Sequence, residues 1–546
     1  MQLVHGLRLD NLRGDLYGGL TAAVVALPLA LAFGVASGAG PVAGLYGAIF
    51  VGFFAALFGG TPAQISGPTG PMTVVMAAVI TQYAGQPALA FTVVLMGGAL
   101  QILFGVLRLG RYVNLMPYPV ISGFMSGIGC IIILLQLPPL IGVAAPAGGP
   151  LAVLEALPGI LAQPQAHASV LGLLSLAVVF LLPRHWNRIL PAPLVALLLG
   201  TFLAVTLLPD ASRIGHIPTG LPQVQLPTFE LPLLADMLKS ALVLAVLGSI
   251  DSLLTSLVAD SITQTYHDSD RELLGQGIGN MIAGLFGAIP GAGATMRSVV
   301  NVRAGGLTPL SGMLHALVLL AIVLGLGGLA ESIPHAVLAG ILLKVGIDII
   351  DWDYLRRAPT APRAGLVIMA VVLLLTVLVD LITAVGVGVV LASLLLVKRM
   401  ADLQSAGVRA LVEPSEGSGL TREESEALQA SGGQVLLFQL KGPLSFASAK
   451  SIARQLSSYQ RFRVLVLDLS EVPFIDSSTG LAIEGMLDNG RARGQTVLVA
   501  GLQPGVTRVL HQLGALRKLP PEARYESRHQ ALQRALAELR PPPEPG

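Results

Sequence analysis

A single cysteine, Cys130, in 546 residues excludes a disulfide framework and any thiolate cluster for zinc or iron–sulfur chemistry. The nine histidines are scattered and form no HExxH pair, so a resident metal or redox cofactor finds no ligand set. No Walker loop, Ser/His/Asp set or paired catalytic carboxylates occur, which leaves ATP-driven pumping and enzymatic hydrolysis without support. Charge is scarce as well: 12% of residues are charged, about half the ordinary share. The formal net charge of +2 is spread between apolar runs rather than gathered into a patch, so nucleic acid is not a partner. What remains is apolar, with 53% hydrophobic residues and a mean hydropathy of +0.75. No soluble chain could bury that much apolar surface, and the lipid bilayer is the partner that composition demands.

Apolar runs near the ~20 residues needed to cross ~30 Å of hydrocarbon recur from Leu16 to Val397. About fourteen can be counted, over 16–37, 43–59, 66–83, 88–107, 112–138, 168–182, 190–208, 236–263, 272–288, 294–303, 308–326, 333–350, 364–379 and 381–397. Lys and Arg favour the cytoplasmic ends of spans. With the N-terminus inside, Arg108 and Arg111, Arg184 and Arg188, Arg356, Arg357 and Arg363, then Lys398 and Arg399 all fall inside. The alternate loops around 38–42, 84–87 and 139–167 hold no Lys or Arg; Arg213, in a Pro-rich external loop over 209–235, is the exception. Both termini are therefore expected in the cytoplasm, and no cleavable leader is read at the start. The expected setting is the cell's inner (plasma) membrane.

Two segments interrupt the apolar helices at membrane depth: Ser66-Gly67-Pro68-Thr69-Gly70-Pro71 and Ile289-Pro290-Gly291-Ala292-Gly293-Ala294-Thr295. Unwound backbone there is tolerable only where it lines a cavity or is buried in protein. The segments open the third and tenth spans, seven spans apart, which points to an inverted repeat whose half-helix N-termini face a shared site. Such N-termini carry free N–H groups and about half a positive charge, so Gly67, Thr69, Ala294 and Thr295 are candidate anion-binding residues. Packing or kinking alone is the competing account of the glycines and prolines.

Asp251 lies well inside the eighth span, where a carboxylate costs ~2.5–3.5 kcal/mol on insertion scales. Thr255, at i+4, shares its helix face. The carboxylate, that hydroxyl and carbonyls from Gly293 to Thr295 would make an oxygen cage for a hard cation. Sodium fits the cage; a proton on Asp251 fits as well. Arg297 has three readings: it pairs Asp251, it meets the anion, or it snorkels to the interface beside Arg303. The charged residues from Asp260 to Glu272 read as a solvated loop with Asp260 and Glu272 as helix caps, and Lys344 with Asp348 as an interfacial pair.

After Met400 the composition turns polar, and 401–431 reads as a linker with a short helix. Strands are expected at Gln434 to Leu440, Arg463 to Leu469 and Thr496 to Ala500. Helices are expected at Ala447 to Tyr459, Thr479 to Asn489 and Thr507 to Leu513, giving a small α/β domain over 432–540. Residues 541–546 read as a Pro-rich tail. Residues 1–400 then form the all-α polytopic transport domain.

The SGPTGP segment, the run Asp251-Ser252-Leu253-Leu254-Thr255-Ser256 with Ala259-Asp260-Ser261, the ninth-span Gly275-Gln276-Gly277-Ile278-Gly279-Asn280 and the run Pro290 to Arg303 with Ala304-Gly305-Gly306 together resemble the SulP sulfate permease and solute-carrier anion exchanger family. The likeness is nearest to its sodium-dependent bicarbonate transporters and covers nearly the whole chain. It implies seven plus seven inverted spans, a core of spans 1–4 and 8–11, a gate of spans 5–7 and 12–14, and a homodimer. It also implies sodium ligation by the positions matching Asp251, Thr255, Gly293, Ala294 and Thr295, and an anion contact at Thr69. Arg297 departs from the bicarbonate proteins and resembles the animal exchangers, where an arginine meets the anion. Residues 432–540 resemble the STAS domain, with a regulatory or assembly role and a cytoplasmic regulator as partner. There Asp476-Ser477-Ser478-Thr479-Gly480 is similar to a loop whose first serine is phosphorylated, although Thr479 intervenes before the glycine, and a plain helix start with good N-caps is the stronger account of the loop. The expected function is secondary transport of a small inorganic anion, bicarbonate or sulfate, with sodium or proton coupling; an uncoupled channel is the rival.

Overall fold

Gly and Pro set the ends of the helices in a computed structural model of the chain, described over residues 4–113, 116–146, 149–183, 190–214, 223–379, 381–415, 418–459 and 461–540. The apolar runs become α1 (Leu12–Ala36), α2 (Pro41–Phe58), α3 (Gly70–Gln82), α4 (Pro87–Val106), α5 (Tyr118–Leu140), α6 (Ala166–Leu181) and α7 (Ala192–Thr206). They continue as α8 (Leu234–Thr263), α9 (Ser269–Leu285), α10 (Thr295–Arg303), α11 (Pro309–Ala330), α12 (His335–Ile349), α13 (Arg363–Leu378) and α14 (Leu381–Ala406). Proline stands in the first turn of α2, α3, α4, α5, α7 and α11, where its missing N–H costs nothing and its fixed φ starts the helix. Among the described residues, six helices are long and apolar enough to cross a membrane: α1, α2, α4, α5, α8 and α14. The chain is a multi-pass, mostly helical membrane protein.

One expected loop is corrected. The 139–167 stretch carries a further helix, Gly149–Leu161, bent by 118° against α6, because its apolar run contains one charge, Glu155, and only a short break separates it from α6. Arg184 and Arg188, read above at helix ends, lie outside the described residues, as do Asp380 and the 541–546 tail.

The helices pack in two groups. α2, α4, α9 and α11 pack on one another and on α1 and α8, with α10 between α1 and α8; α5, α6, α7, α12 and α13 form the other group. α3 touches both through α4 and α5. The short strands β1 (Ser66–Gly67) and β2 (Ala292–Gly293) pair antiparallel, Ser66 opposite Gly293 and Gly67 opposite Ala292. The two unwound segments therefore satisfy each other's backbone inside the protein, as membrane depth requires.

A second compact unit spans Leu391–Gly546. Its sheet runs in the order β3 (Val408–Leu411), β4 (Val435–Lys441), β5 (Val464–Glu471), β6 (Thr496–Ala500), β7 (Arg524–Tyr525). β3 is antiparallel to β4, and the remaining pairs are parallel. The helices are α15 (Arg422–Ala430), α16 (Phe446–Ser457), α17 (Ser477–Ala492), α18 (Pro504–Gln512) and α19 (Arg528–Leu539). The 401–431 segment is thus more than a connector: it supplies an edge strand and a helix with a Thr421/Glu424 capping box. On the core side, Arg528 bridges Glu424 at 2.7 Å and Asp468 at 3.2 Å. Burial alone would raise the Glu424 carboxyl, but hydrogen bonds from Arg528 and Thr421 hold it below its ordinary value.

Candidate functional site

The site grows from the two breaks. Thr69 is the N-cap residue of α3, in extended backbone, and its hydroxyl does not cap the helix. It donates instead to Asp251 Oδ2 at 2.7 Å. Asp251 is 8% exposed on α8, and one turn along, the Thr255 hydroxyl donates to the Gly293 carbonyl at 2.9 Å and lies 2.7 Å from Thr295 Oγ1. The Gly293 N–H in turn donates to Ser252 Oγ at 3.0 Å. Ala294 is the N-cap residue of α10, and its N–H donates to the Ile65 carbonyl at 2.9 Å. Thr69, Asp251, Thr255, Gly293, Ala294 and Thr295 therefore occupy one buried, oxygen-rich region where α3, α8 and α10 meet.

Arg297 does not snorkel. It is 2% exposed, reaches from the first turn of α10 across to the other break, and donates through Nη2 to the Pro68 carbonyl. Its Nη1 has no hydrogen-bond partner among the described residues. No ion pair within 4.0 Å joins it to Asp251. Gly67 makes this reach feasible: its φ of +151° disfavours a side chain, and a Cβ there would lie 2.8 Å from Arg297 Nη1.

Several supporting residues escaped the sequence reading. Glu272, read as a loop residue, is 1% exposed. Its Oε2 accepts from Gly60 N at 3.0 Å and Thr61 N at 2.9 Å, and its Oε1 accepts from Gln64 and Gln276, both at 2.8 Å. Gln276 also donates to Ser66 Oγ at 2.6 Å, so one carboxylate secures the chain leading into β1. Asn280 holds the approach to β2, exchanging both hydrogen bonds with the backbone of Gly291. The Gln276 and Asn280 signal was the polar pair one turn apart in an otherwise apolar span. Asp268, not Glu272, is the N-cap residue of α9 and accepts from Arg271 N. Lys344 and Asp348 do pair, at 2.5 Å.

A cavity of about 1000 Å³ lies among the ends of α1, α3, α5 and α12, lined in part by Ser37, Thr81, Gln136 and His335. It stops short of Thr69. Ile132 and Ile349 close over Gly70, whose missing side chain admits them: a Cβ there would lie 2.8 Å and 2.7 Å from their Cδ1 atoms.

In the second unit Ser477 is the first residue of α17 and is exposed. Asp476 caps that helix by accepting from Thr479 N at 2.8 Å, so the loop has a structural purpose apart from any modification.

Two half-helices that start at paired breaks beside a buried cluster of hydroxyls and a carboxylate, deep in a multi-pass membrane domain, define a carrier of small ions and not an enzyme. The chain belongs to the sulfate permease family, matched over residues 12–372, with a STAS domain matched over 429–531. It is an anion transporter. It is 50% identical to a bicarbonate transporter, BicA, of Synechocystis, across 99% of this chain and 97% of that protein. It is 31% identical to a putative sulfate transporter, YvdB, of Bacillus subtilis, across 85% and 86%. Among solved structures, the transmembrane domain of a cyanobacterial bicarbonate transporter BicA superimposes with a TM-score of 0.67 at 55% identity, over 70% of this chain and all of that one. SLC26A9 superimposes with a TM-score of 0.82 at 19% identity, over 97% and 91%, a likeness of fold.

Proposed function

We propose that this chain carries bicarbonate into the cell as a sodium-coupled secondary transporter of the inner membrane, with both termini cytoplasmic and two copies forming the working unit. The observation that carries sodium coupling is the oxygen set at the second break. The Thr255 hydroxyl, the Gly293 carbonyl and the Thr295 hydroxyl stand within hydrogen-bond reach of one another, one turn from a buried carboxylate that has no cation within 4.0 Å among the described residues. Hard cations select oxygen donors of this mixture. Bicarbonate is favoured over sulfate because the BicA relative and the BicA transmembrane domain stand at 50% and 55% identity, against 31% for the putative sulfate transporter. The N-terminus of α10 and Arg297 Nη1, which has no partner among the described residues, supply donors for the anion beside Thr69, with Gly67 leaving room for the approach of Arg297. The seven-span spacing of the breaks supports an inverted repeat. The protein in liposomes should take up labelled bicarbonate faster with an inward sodium gradient than without one, and Thr69→Val or Thr295→Val should abolish that uptake while expression persists. Equal uptake with and without sodium would remove the coupling ion.

The STAS domain is assigned a regulatory or assembly role, with exposed Ser477 as its candidate modification site and a cytoplasmic protein as partner. Every residue of the transport site lies in the first unit. Removing residues 407–546, a cut that takes β3 out with its sheet, should therefore leave the ranking of transported anions unchanged even if the rate falls. An altered ranking in competition assays would show that the domain helps select the substrate.

A further inference from the structure

Beside the cavity short of Thr69 lies a smaller space of about 10 Å³ lined by Phe33, Thr73, Ile132, Gln136 and Leu342, among others. Gln136 lines both the cavity and this smaller space. It is 8% exposed and sits one turn beyond Ile132, the side chain that closes over Gly70. Among the described residues no hydrogen bond uses its amide. Thr73, on α3, donates its hydroxyl proton to the Thr69 carbonyl at 2.7 Å, and among the described residues neither space is lined by Lys, Arg, Asp or Glu. Gln136 lines both spaces, so its amide is open to what enters them. A ligand or water that enters the cavity is what satisfies it.

A primary amide presents an N–H donor beside a carbonyl acceptor. Bicarbonate presents the complement, a charged oxygen beside an O–H group, so the two can form a paired, two-point contact. Sulfate at neutral pH has oxygens but no O–H, and would leave the Gln136 carbonyl unsatisfied. A site built to hydrogen-bond a hydroxyl discriminates strongly against an analogue lacking it. We propose that Gln136 forms a second anion position in the transport path, a vestibule contact that receives hydrogen-bearing oxyanions such as bicarbonate and disfavours fully ionised ones before Ile132 and Ile349 yield access to Thr69. This rests on the bicarbonate reading above.

The test uses the full chain with Cys130→Ser and a reporter thiol placed by Ala77→Cys, on α3, where the side chain lines the same two spaces. In purified protein, bicarbonate should slow modification of that thiol by an anionic methanethiosulfonate, sulfate should not, and adding Gln136→Met should remove the protection. In liposomes Gln136→Met, close in shape but without the amide, should raise the half-saturation concentration for bicarbonate roughly tenfold, the worth of one hydrogen bond to a charged group, with the maximal rate little changed. Gln136→Asn, which keeps the amide on a shorter arm, should fall between. Equal protection by sulfate, or protection and half-saturation that survive Gln136→Met, would overturn the proposal and leave bicarbonate transport standing. Wild-type protein that carries no bicarbonate would instead defeat the underlying reading and this one with it.

Discussion

Asp251→Asn should reduce sodium-stimulated bicarbonate uptake by at least ~100-fold while the protein still folds and reaches the membrane. An amide supplies an oxygen but no charge. Losing a full charge within a few Å of a cation, at an effective dielectric of ~20, removes several kcal/mol of attraction, and each ~1.4 kcal/mol is tenfold in affinity. The fold should survive because an asparagine oxygen can still accept from the Thr69 hydroxyl that now donates to Asp251. Arg297 supplies the control. If it were the permanent counter-ion of Asp251, either single change would strand a buried charge at a cost of ~3–5 kcal/mol, and Asp251→Asn with Arg297→Met would restore stability. Its bond to the Pro68 carbonyl predicts otherwise. Arg297→Met should keep its sodium dependence and lose anion affinity, and the double variant should show both defects without rescue. Thermal stability and sodium titration of uptake on all four proteins read the two cases apart; rescue of stability in the double variant would sink the sodium cage.

Glu272→Ala should cost the transport domain at least ~3 kcal/mol, seen as a large drop in the unfolding temperature of the purified protein. The carboxylate accepts from two backbone N–H groups and two side-chain amides. Its removal leaves these donors buried, each at ~1–3 kcal/mol where no water enters. Glu272→Gln should lie between, since its one remaining oxygen can serve one pair of donors while its NH2 confronts the other. Because Gln64 leads into β1 and Gln276 donates to Ser66 within it, residual uptake in Glu272→Gln should show a raised half-saturation concentration for the anion. An unfolding temperature for Glu272→Ala within a degree or two of wild type would show that other contacts already hold the 59–66 segment.

The helices were legible because a long apolar run in a chain this poor in charge has few alternatives, and because prolines mark their first turns. The breaks were legible because Gly and Pro cluster there, four in the six residues 66–71, where a single one such as Pro28 leaves its helix intact. Pairing between the breaks was not, since a two-residue ladder has no periodicity to detect. Glu272 shows the same limit. Its sequence neighbours Asp268, Asp270 and Arg271 speak for solvent, and only the return of residues more than 200 positions earlier buries it. The three readings of Arg297 were equivalent in sequence because a long flexible side chain on a half-helix can point to either break, to Asp251 or outward. β3 was hidden by Arg409 and by a length of four residues, too short for its alternation to stand out from a polar connector.

The ladder that joins Ser66–Gly67 to Ala292–Gly293 also sets a timetable for biogenesis. Arg297 and Pro68 are separated by 229 residues, and at about 5–20 residues per second of synthesis the first break waits roughly 10–50 s for its partner. Throughout that interval the carbonyls and N–H groups of residues 66–68 have no strand to meet, and hydrocarbon charges several kcal/mol for each one left bare. The half-helix that starts at Gly70 therefore cannot settle into lipid as soon as it leaves the ribosome. It must be sheltered by the insertion machinery, by water or by its neighbours α1, α2 and α4 until the second half of the protein arrives.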